Sequence, residues 1–167
     1  RIEGLRHTRQ SGPVTTATEM RVAVVQEASA LDPTTNRDRL RALVPGGTDL
    51  VVLPEAFARD FGEAGSDVSA FAEPLDGPFA SALAEVAGDQ GTTVVAGMFE
   101  TSTDPARPSN TLVVRGRSHA EYRKIHLYDS FGYRESDALT AGPLEPVVVD
   151  VGGWQVGLMT CYDLRFP

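Results

Sequence analysis

Cys161 is the only cysteine in the sequence, and it stands just past an alternating apolar run over residues 154–159. A strand ending there would present the thiol at a sheet edge, where open α/β proteins carry nucleophiles and neighbouring backbone N–H groups face outward. A lone cysteine is more often a small buried hydrophobe, so the thiol needs company to mean chemistry. Attack by sulfur requires a thiolate, hence a proton acceptor and a source of positive potential nearby. Glu55 closes the short apolar run VVLPE at 51–55 and has the chemistry of the first. Lys124, inside YRKIHL at 122–127, has the chemistry of the second. Taken singly, Glu55 also reads as a solvated residue after a strand, and Lys124 as a surface lysine beside Arg123.

Together, the contexts LPE at 53–55, YRKIHL at 122–127 and CYDLRFP at 161–167 resemble, in type and order, the motifs of the nitrilase superfamily of carbon–nitrogen hydrolases. The resemblance covers about residues 21–167, and members of that family are roughly twice as long. Residues 20–167 are therefore expected to be the N-terminal portion of such a hydrolase domain, inactive alone. The implied fold is α/β, an α-β-β-α four-layer sandwich, here halted after the nucleophile strand. The implied assembly is a homodimer or higher homo-oligomer, and no cofactor is implied.

The same resemblance assigns roles. Cys161 attacks the carbon of a small amide, Glu55 moves the protons, and Lys124 with the Tyr162 N–H holds the oxygen as it becomes negative. A fixed cation and a fixed donor there favour the transition state over the ground state, as acceleration requires. Glu135, in YRES at 133–136, corresponds to a further family glutamate that orients substrate and supports the lysine. A lysine enclosed among carboxylates keeps its charge, which burial alone would remove. The CYDLRFP form is most similar to the amidase branch acting on ω-amides of dicarboxylates or related small amides. Nitrile hydrolysis by the same triad, and an inactive fragment or structural subunit with a relic triad, remain alternatives. His126 offers a further one, a Cys–His pair, against a structural histidine sharing the Lys124 strand face. Asp163 and Arg165 are read as pairing with each other or binding a substrate carboxylate.

The elements that must position these residues follow from periodicity. A buried strand is expected over 21–26, then a helix from the capping residues at 32–36 to the Pro45-Gly46-Gly47 stop, then a strand over 49–53. This β-α-β unit favours a parallel pair with Glu55 at a carboxyl strand end. Residues 56–73 read as a loop with room for one short helix. A helix from Pro78 to Gln90 and a strand over 92–99 come next. Two hairpins follow, 111–115 with 119–123, and 147–151 with 154–160 about Gly152-Gly153.

The composition, 41% apolar and 23% charged, is that of one globular domain. A net charge of −8 argues against nucleic acid or an anionic membrane as partner. No apolar run is long enough to span a membrane. One cysteine excludes an internal disulfide and fits a reducing, cytoplasmic setting. Residues 1–19 carry neither periodicity nor an apolar leader core, and read as a disordered tail or upstream segment before Met20. Three scattered histidines, and the lack of GxGxxG or GxxxxGK[ST], give no support to a metal or nucleotide site.

Overall fold

The computed structural model describes residues 19–166, so the tail expected over 1–19 lies almost wholly outside the described residues. The order of the first elements is β1 (Val22–Val24), α1 (Pro33–Leu43), β2 (Leu50–Val52), α2 (Pro78–Gln90) and β3 (Thr93–Glu100). Then come β4 (Ser109–Gly116), β5 (Ala120–Arg123), a two-residue pair β6 (Asp129–Ser130) and β7 (Tyr133–Arg134), and the hairpin β8 (Val148–Val151) with β9 (Trp154–Gly157).

β1 to β5 form one five-stranded sheet in sequence order. The first three strands run parallel, and β3, β4 and β5 pair antiparallel. Local chemistry explains the helix ends. Asp32 caps α1 by accepting from the N–H groups of Thr34 and Thr35, and Pro33 fills the first turn, where its missing N–H costs nothing. α2 starts at Pro78 and stops at Gly91, whose φ of 61° is the left-handed cap that glycine adopts freely.

Both helices cover one sheet face. Leu40 and Val44 from α1 and Phe79, Leu83 and Val86 from α2 pack on Val51, Val94, Ala96, Met98 and Val113. Each fully buried Leu or Phe there contributes roughly 1.5–3 kcal/mol relative to exposure. The opposite face, with Leu50, Val95, Leu112, Val114 and Tyr122, packs on Val149 and Val151 of the β8–β9 hairpin. Helices, large sheet and hairpin are three successive layers of the expected sandwich.

Three expectations are corrected. β1 is a three-residue edge strand rather than a buried one, with Val24 77% exposed, because the hairpin covers the central strands and stops short of it. β9 ends at Gly157, since β8 offers no partner further on, although Leu158 still donates to the Val147 carbonyl. His126 lies in a bend past β5, not in the strand.

Candidate active site

Glu55 follows β2 on a corner laid over β3. Leu53 donates to the Val95 carbonyl, Gly97 to that of Pro54, and Ala58 to that of Gly97. A side chain on Gly97 would place its Cβ 2.3 Å from the Ala56 nitrogen, so only glycine lets the corner lie this close. Ala56 has φ 51°, an uncommon left-handed conformation for a residue with a side chain.

Lys124 is the first residue beyond β5. Its N–H donates to the Asn110 carbonyl and its own carbonyl accepts from Gly142, each at 2.8 Å. Gly142 also fits by lacking a side chain, because a Cβ there would stand 2.3 Å from the Arg123 oxygen. Glu135 opens a short 3-10 helix, Glu135–Asp137, and Tyr128 donates its N–H to Oε2 at 2.7 Å. Cys161 opens another, Cys161–Arg165, at φ 50°.

These segments bring the charged groups together. Lys124 Nζ stands 3.1 Å from Glu55 Oε1 and 3.0 Å from each oxygen of Glu135. Lys124 and Glu135 are almost fully buried, whereas the Glu55 side chain is 25% exposed. Glu55, Lys124, Glu135 and Cys161 line one cavity of about 210 Å³, walled by Phe61, Tyr128 and Tyr133. A second space of about 580 Å³ opens on the other side of Cys161, between Tyr128, Phe131, Tyr162 and Arg165. A larger depression, about 650 Å³, lies between the loops 64–69 and 131–138 and reaches none of Glu55, Lys124 or Cys161.

The electrostatics agree with this packing. Burial alone would pull the Lys124 ammonium down, but the Glu55 charge and the hydrogen bonds and charge of Glu135 outweigh it and hold it above the ordinary lysine range. The Cys161 residue is exposed at its outer side, yet partial desolvation of the thiol, then the Glu55 charge, push it up, with Lys124 offsetting part. A sulfur so placed, with a carboxylate at hand, would attack a carbonyl carbon only as its proton left. Among the described residues no group of three or more His, Cys, Asp and Glu side chains could hold a metal ion. The Glu55 and Glu135 carboxylates face the Lys124 ammonium instead.

His126 is not among the residues lining the cavity; its ring bonds Asp163 and stacks on Phe166 at 3.9 Å between centroids. Asp163 does not pair with Arg165, because Tyr122, His126 and Thr160 occupy its oxygens. Tyr162 packs edge-on against Tyr128 and Phe166. The sequence reading missed Asn110, whose side-chain amide donates to Glu55 Oε1 at 2.7 Å. It missed Gly97 and Gly142 as well. An asparagine near a strand start and the isolated Gly97 within an apolar strand are local signals of such sites, whereas Gly142 in irregular backbone carries none.

The strand ends and turns of this α/β sandwich bring Glu55, Lys124, Glu135 and Cys161 into one cavity. Residues 21–167 match the family described as carbon-nitrogen hydrolase, and the chain belongs to that family. A hydrolase of Mycobacterium tuberculosis is 43% identical over 157 residues, which are 89% of this chain and 54% of that protein. The deaminated glutathione amidase of Escherichia coli O157:H7 is 42% identical over 121 residues, covering 71% of this chain and 45% of that protein. Among solved structures, a CN-hydrolase superfamily protein of Xanthomonas campestris with an arsenic adduct in its active site superposes at TM-score 0.76. It is 30% identical, over 89% of this chain and 55% of its own. An amidase from Nesterenkonia sp. gives TM-score 0.71 at 31% identity, over 93% and 60%. The chain spans about half the length of the curated relatives it matches. The fold is the nitrilase-superfamily α/β fold, covered in part.

Proposed function

We propose that this protein hydrolyses the C–N bond of a small-molecule amide through a thioester on Cys161. The observation that carries the reading is the Lys124 ammonium held between Glu55 and Glu135 in the cavity that Cys161 also lines. Glu55 takes the thiol proton as sulfur adds to the amide carbon, and the carbonyl oxygen becomes an oxyanion. Lys124 and the Tyr162 N–H, a first-turn donor without an internal helix acceptor, stabilise that charge. Glu55 returns the proton to nitrogen, ammonia leaves, and the thioester remains. Water then gives a proton to Glu55 and its oxygen to the acyl carbon, which frees the carboxylic acid and restores the thiol.

Amidases among the relatives support the amide, and a nitrilase of Pyrococcus abyssi, 34% identical over 155 residues, keeps the nitrile as the second reading. A variant of the amidase from Nesterenkonia sp., 30% identical at TM-score 0.71, is seen in complex with butyramide. The ω-amide of a dicarboxylate is the preferred substrate class, acted on by a cytoplasmic homo-oligomer. Cys161 is exposed over the described residues, so a fully enclosed site is proposed to draw on more than they provide, and residues 1–167 alone are expected to release little ammonia.

Ammonia release across small amides and nitriles, in protein spanning the length of its relatives, tests the reading. Amides are expected to react, and Cys161→Ala and Cys161→Ser to be nearly inactive. Substantial hydrolysis by the alanine variant would overturn the assignment.

A further inference from the structure

Glu55 sits on an irregular corner next to the left-handed Ala56, and an irregular corner does not by itself fix a carboxylate. Two nitrogen donors reach its side chain among the described residues, and both address the same oxygen. Asn110 Nδ2 donates to Oε1 at 2.7 Å and Lys124 Nζ at 3.1 Å. We infer that Asn110 is a positioning residue that holds Glu55 by Oε1 and so leaves Oε2 as the atom that exchanges protons with Cys161, ammonia and water. This rests on the reading of Glu55 as proton carrier.

Three observations support it. Asn110 is 1% exposed on the eight-residue strand β4, a rigid platform between β3 and β5. Its main-chain carbonyl accepts the Lys124 N–H at 2.8 Å, so one residue sets the placement of both charged partners. Its Oδ1 finds no protein partner among the described residues, so the amide does not serve an internal network of the fold beyond Glu55. The consequence is mechanistic. Once Glu55 has taken the thiol proton it is neutral, and the charge attraction of Lys124 for it falls away. The Asn110 donor persists in both protonation states, so the carboxyl stays in register until the proton is delivered.

Asn110→Asp keeps the shape and exchanges the donor for an acceptor; Asn110→Ala only deletes atoms. In folded variants, checked by melting curves, we expect kcat to fall about 10²-fold with KM changed little, as for a misplaced catalytic group. The acid limb of kcat/KM against pH should move up by about one unit or more in Asn110→Asp, because a like charge beside a carboxylate favours its protonated form. Parental kcat and an unshifted limb in either folded variant overturn the proposal. If neither variant folds, the Asn110 side-chain amide signals in the unmodified protein decide. They should change in Glu55→Gln, and unchanged signals overturn the proposal. Turnover that survives Cys161→Ala would instead sink the reading of the site itself.

Discussion

Asp163 grips His126 twice, accepting its main-chain N–H at 2.8 Å and its ring Nδ1–H at 2.9 Å, both on Oδ1. Oδ2 accepts from the Tyr122 hydroxyl at 2.6 Å and the Thr160 N–H at 3.0 Å. One buried carboxylate therefore ties the turn that carries Cys161 to the end of β5, two residues from Lys124. The clasp thus helps to hold the Cys161 turn against the segment that carries Lys124.

Asp163→Asn should lower stability by about 2–3 kcal/mol, since it weakens several hydrogen bonds to a buried charge. Desolvation would raise the Asp163 carboxyl, but bonds from Tyr122, His126 and Thr160 outweigh it and hold it below the usual range. A depressed folded value means stability that is complete above the unfolded value near ~3.9 and is lost as pH falls through the folded one. Melting temperatures of parent and variant should thus differ at pH 7 and converge below about pH 4. A constant difference down to pH 2 would refute the clasp.

His126→Ala removes one bond to Asp163 and the stack on Phe166, and should cost about 1 kcal/mol of stability. Steady-state turnover should persist within about tenfold, because Tyr122 and Thr160 still hold Asp163 and His126 does not line the cavity. A loss approaching that of Cys161→Ala would favour a Cys–His mechanism.

Lys124→Met should cut kcat by about 10²–10³-fold, the effect of losing one oxyanion donor. It also leaves Glu55 and Glu135 facing each other without the cation, a change that costs roughly 3–5 kcal/mol for a buried pair. Adding Glu135→Gln to it should recover part of the melting temperature but none of the activity. Recovery of both would show that the lysine serves packing only.

Alkylation of Cys161 by iodoacetamide should be slow at pH 7 and rise with an inflection above the ordinary thiol value near ~8.5. Glu55→Gln should move the inflection down, because the Glu55 charge helps to raise the thiol, and Lys124→Met should move it up, because the ammonium lowers it. Mass spectrometry of the peptide carrying Cys161 measures this directly. Shifts of the opposite sign would contradict the geometry.

Gly97→Ala should displace the Glu55 corner, since its Cβ would meet the Ala56 nitrogen at 2.3 Å. Overpacking of this kind costs about 1–3 kcal/mol, and an ångström of misplacement costs about 10²-fold in rate. Gly157→Ala has open space around its Cβ and is the matched control. Equal activity of the two variants would argue that the corner is not held by β3.

Much of the architecture was legible because the local signals were strong. Asp32 with Pro33 marks the start of α1, and Pro78 with Gly91 brackets α2, where the structure places them. Both hairpins are present, the second with a shorter outer strand than expected, and so is the parallel β1–β2 pair. The antiparallel pairing of β3 with β4 was not legible, because the eight residues between them, 101–108, carry no short-turn signature. The β6–β7 pair was missed because two residues per strand have no period to read. In the site, Glu55, Lys124, Glu135 and Cys161 were visible through their sequence contexts. Asn110 and the Asp163 clasp were not, since their partners lie 55 and 37–41 positions away and only folding brings them together.

The backbone at Cys161, at φ 50°, has a consequence for how this position records selection. A residue with a side chain gives up about 1–2 kcal/mol to adopt that left-handed conformation, whereas glycine adopts it freely. Conformational ease and reactivity therefore pull residue 161 in opposite directions. In a descendant relieved of catalysis, mutation to glycine would meet little resistance from the fold. A cysteine in so uncomfortable a place fits the role proposed for its sulfur.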